Sequence, residues 1–296
     1  MKIIANLLVT KNIYKEEEMN EYVKHIKGYI MSVDALYIYN ASGADLSKFY
    51  EKLNRHDNIK FTECSDLGEV LNYERILNYS LELGADYSVI LEPGYYYEED
   101  SFQTIKKYIV EKDPKDIAII TPLPLYGCEL HERKGEAVRY VMGGCKMVGT
   151  LVNLHIYKEL KGLKKEYYQS MFDYEYCIRA RLKGYKILLF NNEVLRNINY
   201  RVVEKRYLFI KLSTYDKDPI DIYSEHRNRL YLWEEYAKID PSFVKLDKKL
   251  AKEERHIMRW RDPAYRDKLA MFEKAESDFK HGIMGKIKFS NKELRS

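Results

Sequence analysis

Four apolar runs, at residues 3–9, 35–39, 87–91 and 117–121, alternate along the chain with amphipathic stretches at about 16–30, 45–54, 68–83 and 101–111. The runs have strand length and are bounded by turn residues, whereas the stretches repeat their apolar positions every three or four residues, as a helix packed on one side does. Strand and helix in alternation predict right-handed βαβ units around a mostly parallel sheet, an α/β architecture that binds nucleotides. Gly84 is expected to stop one helix ahead of its strand, and Asp100 to cap the next.

The pattern then changes twice. Residues 122–145 are loop-rich, with Pro122, Pro124, Gly127, Gly135, Gly143 and Gly144, and carry the charges of Glu129, Glu132 and Arg133. A segment of that length is expected to cover a site. Beyond about residue 206 charged helical patterns take over, at 221–236, 244–259 and 263–280, and read as a helical appendix without a sheet of its own. The expected division is therefore 1–205 for the α/β domain and 206–296 for a helical C-terminal extension.

Between these parts lies the densest chemistry. Phe172, Tyr176, Ile178 and Leu182 can share an apolar side of one helix, and Gly184 supplies a left-handed stop before the strand pattern of 185–190. Asp173 then falls in the first turn, where free amides and the helix dipole favour an anion and keep the carboxylate ready to accept a proton. The competing reading makes Asp173 an N-cap and pairs Glu175 with Arg179 one turn on. Residue types alone leave both open.

The stretch Phe172-Asp173-Tyr174-Glu175-Tyr176-Cys177-Ile178-Arg179-Ala180-Arg181 with Gly184-Tyr185 resembles the D-x-E-W-C-L-R-A-R-x-x-G-Y segment of family 2 glycosyltransferases, in their rhamnosyltransferase-like branch. Other segments resemble that family in the same order: Thr10-Lys11-Asn12 after the first strand, Asn40-Ala41-Ser42 after the second, Asp66-Leu67-Gly68, and Gly84-Ala85-Asp86 leading to Leu91-Glu92. Val148-Gly149-Thr150, the run Arg227-Asn228-Arg229 and the closing His281-Gly282 complete a resemblance that covers nearly the whole chain. It implies a GT-A-like fold and an inverting transfer of a sugar, rhamnose at the family level, from a nucleoside diphosphate donor to a glycan or lipid-linked glycan acceptor. Asp173 is then the catalytic base. Thr10, Asn12, Tyr39, Asn40, Arg75, Glu92, Gly94, Arg196 and Arg227 are expected toward the donor, and Gly149, Thr150 and Glu175 toward the acceptor.

The donor half departs from the family. Its D-x-D reads Glu92-Pro93-Gly94, the position of its later His falls near Arg196-Asn197, Tyr39 replaces an Asp, and Glu74 stands where Asn is usual. Glu92 alone is a poor site for a hard cation, so Mg²⁺ or Mn²⁺ is expected to be held mainly through donor phosphates. Glu98-Glu99-Asp100 offers a displaced set of carboxylates, or simply a helix start. Two readings follow: Arg196, Arg75 or Arg227 meets the leaving diphosphate directly, or the chain is a catalytically silent binding subunit of a glycan-assembly complex.

Composition narrows the partners. A net charge of +4 is too mild to argue for nucleic acid, and 28 tyrosines against 10 phenylalanines supply hydroxylated rings that can stack on a base or a sugar. Cys64, Cys128, Cys145 and Cys177 have no metal or redox spacing and are expected to be reduced and buried. The first residues are too short an apolar stretch for a signal peptide, and no stretch approaches the roughly 20 residues of a membrane span, so a cytoplasmic location is expected. Basic residues interleaved with Trp260, Phe272, Phe279, Ile283, Met284 and Ile287 offer peripheral contact with the inner face of a membrane, or packing on the domain or a second copy in a homodimer.

Overall fold

The computed structural model describes residues 1–13, 15–53, 56–98, 100–126, 136–199, 201–207 and 210–286. Glu99, Gly127, Cys128, Glu129, Glu132, Arg133, Gly135 and Ile287 lie outside the described residues. The chain divides into two compact units, one of residues 1–67, 71–162 and 176–199, the other of 68–70, 163–175 and 200–296.

In the first unit β1 (Ile3–Val9) is buried at every residue, as an apolar run flanked by strands and covered on both faces must be. Asn6 interrupts that run with its amide nitrogen paired: Nδ2 donates to Ser88 Oγ at 2.9 Å and to the Val89 carbonyl at 3.2 Å, while its buried Oδ1 has no partner. Strands β2 (Ala35–Asn40) and β4 (Tyr87–Leu91) flank β1 in parallel, and β3 (Ile59–Glu63) continues in parallel beyond β2. Helices α1 (Glu16–Tyr29), α2 (Ser47–Leu53) and α3 (Glu69–Glu82) make the crossovers. Gly84 stops α3 as expected: at φ 71° its N–H reaches the Leu81 carbonyl, and the Ala85 N–H reaches that of Ser80. Asp100 does stand before α4 (Ser101–Lys112), yet its side chain makes no capping hydrogen bond. At φ −93°, ψ 17° it lacks the extended backbone that turns a cap side chain back toward the first amides.

The sheet is completed by β5 (Tyr95–Tyr97), β6 (Ile117–Tyr126), β7 (Val138–Tyr140), β8 (Leu151–Asn153) and β9 (Lys186–Asn197), with α5 (Leu154–Glu159) and α6 (Phe172–Leu182) between β8 and β9. Its order is β3-β2-β1-β4-β8-β6-β9-β5, with β7 also on β9. The parallel strands expected from the sequence are joined by antiparallel β5, β7 and β8. Pro122 and Pro124, expected in a loop, continue β6 instead. β8 pairs β6 only at Ile119 and Ile120, so the prolines lie where one edge needs no ladder donor, and a register shift between Pro122 and Leu123 absorbs them.

The second unit holds α7 (Pro219–Tyr236), α8 (Pro241–Arg261) and α9 (Tyr265–Lys280), close to the expected helices. It also holds a hairpin that the charge pattern hid: β10 (Val202–Tyr207) pairs β11 (Ile210–Tyr215) antiparallel, correcting the expectation of an appendix without a sheet. In β10 Glu204, Lys205 and Arg206 put three charges in a row, which hides the strand from a reading of apolar periodicity. Ile222, Tyr223, Met258, Met271, Phe272 and Ala275 form the helical core.

Candidate functional site

In the second unit, α6 opens at Phe172, which puts Asp173 inside the first turn and removes the N-cap reading. Asp173 is 1% exposed, and its Oδ1 accepts from the Tyr174 N–H at 2.9 Å. The turn that delivers it is strained. Tyr168, Ser170 and Met171 have φ of 56°, 60° and 64°, left-handed values that cost non-glycine residues free energy and persist only where neighbours impose them. Three neighbours do so. The Tyr168 ring lies where a Cβ at Gly68 would sit, the Val70 N–H donates to the Tyr168 carbonyl at 3.0 Å, and Glu69 Oε2 accepts from the Ser170 N–H at 3.0 Å. From α7, the Asn228 amide donates to the carbonyls of Tyr167 at 2.8 Å, Ser170 at 3.1 Å and Gln169.

Glu175 and Arg227, expected at ligands, are both engaged by partners within the protein. Glu175 is fully buried, accepts from the Tyr236 hydroxyl at 2.8 Å and lies 3.4 Å from Lys164 Nζ, which also pairs with Glu235. Burial and the Glu175 charge push the Tyr236 hydroxyl far up, so it donates. Arg227 is likewise 0% exposed. Its guanidinium donates to the Gly285 carbonyl at 2.9 Å, the Tyr223 hydroxyl at 3.3 Å and Asn228 Oδ1 at 3.1 Å, which leaves no approach for a diphosphate.

In the first unit, Thr10 and Asn12 are exposed just beyond β1. Tyr39 closes β2 with its ring buried and its hydroxyl lacking a hydrogen-bond partner; desolvation pushes that hydroxyl up. Asn40 corrects its expectation: Nδ2 donates to the Ala44 carbonyl at 2.8 Å and Glu63 at 2.7 Å while Oδ1 accepts from Ser42, so the side chain braces its own loop. Arg75 is half-buried on α3, donating to the Ser65 carbonyl, Cys64 Sγ and Asn72 Oδ1, with Nε buried and unpartnered. Arg179, the first of the motif's two arginines, donates to the Leu160 and Gly162 carbonyls past the end of α5. Among the described cysteines Cys64 and Cys145 are half-buried and Cys177 is fully buried, so two of these three thiols are less sheltered than expected.

The Glu92-Pro93-Gly94 segment is a turn. The Tyr95 N–H donates to the Glu92 carbonyl at 3.0 Å, and Gly94 has φ 92°, the conformation a type II turn demands at its third residue after proline at its second. A Cβ at Gly94 would fall 2.0 Å from Asn199 Nδ2, which itself donates to the Pro93 carbonyl at 2.7 Å. The second family carboxylate is therefore barred by backbone and packing. Tyr73 donates to Glu92 Oε1 at 3.0 Å, Arg196 pairs with Glu98, and Asn197 Oδ1 accepts from the Asn199 N–H. Among the described residues no three His, Cys, Asp or Glu side chains converge to hold a metal ion, so these residues do not fit a protein-built cation site.

Gly149, at φ 66°, lets its segment approach β9, since a Cβ would lie 2.3 Å from Leu195, and its carbonyl accepts from the Tyr97 hydroxyl at 2.8 Å. Thr150 is buried and donates to the Met147 carbonyl at 2.8 Å, correcting its placement at the acceptor. What residue types alone missed is Asn228. The signal available was a polar residue on the buried side of an amphipathic helix, beside Ser224 and Arg227.

No family model matches the sequence, and no curated protein matches it. Among solved structures the chain is similar to S. aureus TarS 1–349 in complex with UDP-GlcNAc, at 10% identity and TM-score 0.56 over 96% of this chain and 82% of that one. It is similar also to the mannosyltransferase PcManGT from Pyrobaculum calidifontis in complex with GDP-Man and Mn²⁺, at 10% identity and TM-score 0.56 over 94% of this chain and 79% of that one. This likeness establishes a GT-A-like α/β fold with a helical C-terminal part.

Proposed function

We propose that the protein is an inverting glycosyltransferase that moves a hexose-type sugar, rhamnose by family resemblance, from a nucleoside diphosphate donor to a glycan or lipid-linked glycan acceptor. The observation that carries the reading is Asp173, a buried carboxylate in the first turn of α6, delivered by a strained turn that several side chains hold in place. In a single displacement the acceptor oxygen attacks the anomeric carbon. Its proton passes to Asp173, the bond from that carbon to the diphosphate oxygen breaks, and the diphosphate leaves with the electron pair. Residues 1–205 carry donor and acceptor binding in this reading, and 206–296 are the helical extension. Thr10, Asn12, Tyr39 and Arg75 frame the base, and Arg75 and Arg196 are the cations nearest the role of meeting the leaving group.

The donor half supports metal-independent turnover, because the Gly94 turn and Asn197 replace two expected ligands. EDTA is expected to reduce transfer only slightly in an initial-rate assay; full loss restored by Mn²⁺ would reject this. The runner-up, a catalytically silent binder of sugar nucleotides, is supported by the inward engagement of Asn40, Thr150 and Arg227. A calorimetric screen of nucleoside diphosphate sugars with and without Mn²⁺, followed by transfer assays on those that bind, separates the two.

The extension supports peripheral contact with an anionic membrane. On α8, Leu246, Leu250, Ile257 and Trp260 are exposed at spacings that put them on one side, beside Lys245, Lys249 and Lys252. Phe272 is packed inside instead. No helix among the described residues is long and apolar enough to cross a membrane, so any contact is at the surface. Each basic residue near such a surface adds about 1 kcal/mol. Flotation with anionic but not neutral vesicles, lost on truncation after residue 243, is expected; absence of binding at low salt assigns this side to packing or to a second copy.

A further inference from the structure

We infer that Asn228 is a positioning residue that holds the turn at residues 167–171 in its left-handed conformation and so presents Asp173 to the acceptor, with Arg227 setting which way the Asn228 amide faces. The inference rests on the reading of Asp173 as the base. The geometry is specific to this task. Tyr168, Ser170 and Met171 all have positive φ, and each such residue costs free energy that its surroundings must offset. Such a backbone turns carbonyls inward, and those of Tyr167, Gln169 and Ser170 converge on one nitrogen, Asn228 Nδ2. An amide nitrogen has two hydrogens and accepts nothing, so only the nitrogen end suits three oxygens. The oxygen end is claimed elsewhere: Arg227 Nε donates to Asn228 Oδ1 at 3.1 Å, and Arg227 is itself anchored by the Gly285 carbonyl and the Tyr223 hydroxyl. Both side chains are 0% exposed, so water cannot substitute for a lost partner.

The restrained turn is continuous with the site. Met171, its last left-handed residue, accepts the first helical hydrogen bond of α6 through its carbonyl, from the Glu175 N–H at 3.0 Å. Asp173 stands between them, so a change at the turn displaces the carboxylate directly. One turn further, the Tyr236 hydroxyl from the same α7 fixes Glu175. One helix thus holds the start of α6 at two points, by an uncharged amide and by a phenol.

The test compares Asn228→Ala, Asn228→Asp and Ser170→Gly/Asn228→Ala with the parent chain. A carboxylate at 228 keeps the shape but confronts three carbonyls, whereas glycine at 170 adopts its left-handed backbone without strain and so needs less holding. The single variants are expected to lower kcat about 100-fold, the usual consequence of a displacement of about 1 Å. Donor affinity by calorimetry should be unchanged. Amides 168–173 should exchange hydrogen about tenfold faster while those of α8 and α9 keep their protection. The double variant should recover much of both losses, and it supplies a folded protein if the single variants do not accumulate. Parent-like exchange at 168–173 in Asn228→Ala would overturn the inference, as would equal losses in kcat with and without glycine at 170. If the parent transfers no sugar from any donor, the reading of Asp173 fails, and the exchange measurements still decide whether Asn228 holds the turn.

Discussion

Asp173→Asn is expected to lower sugar transfer by about 10²–10⁴-fold, the usual contribution of a positioned general base. The amide keeps the size of the carboxylate and an oxygen to accept the Tyr174 N–H at 2.9 Å, so the start of α6 should stand unchanged. What it loses is the capacity to take the acceptor proton as the new bond forms. Donor binding by calorimetry should equal that of the parent, which separates a chemical loss from a folding loss. Transfer by Asp173→Asn at the parent rate would make the carboxylate a structural group and return the chain to the silent-binder reading.

Gly94→Asp, which writes back the missing second carboxylate of the family motif, is expected to cost stability rather than to build a cation site. At φ 92° a side chain is strained by about 1–3 kcal/mol. Asn199 must also swing away from a Cβ that would lie 2.0 Å from its Nδ2, giving up its hydrogen bond to the Pro93 carbonyl at a cost of about 1 kcal/mol. The sum, about 2–4 kcal/mol, should appear as a fall in Tm of roughly 3–6 °C for a fold of this size. Gly94→Ala should show nearly the same fall, because the cost lies in the backbone and the Cβ. An unchanged Tm in Gly94→Asp together with tight Mn²⁺ binding would refute both the turn assignment and the metal-independent reading.

The fold was legible where burial and pattern coincide. β1 reads as an apolar run because it is covered on both faces, and Gly84 and Gly184 read as helix stops because left-handed backbone favours the residue without a Cβ. The β10–β11 hairpin was not legible, since the consecutive charges Glu204, Lys205 and Arg206 merged with those of the helices that follow. Nor was the strand character of Pro122 and Pro124, which depends on how little of β6 its neighbour β8 covers.

For the site, the sequence by itself determined that an acidic residue would stand at the start of a glycine-terminated helix and that the turn after β4 would lack a second carboxylate. Both follow from local rules, helix spacing in one case and the backbone freedom of glycine in the other. Only the tertiary structure decided which polar side chains remain for a ligand. Asn40, Thr150, Glu175 and Arg227 each look available in one dimension, yet each meets a partner within the fold, some from far along the chain. A buried hydrogen-bonding group must find such a partner, and which partner it finds is a property of packing that spacing along a chain does not contain.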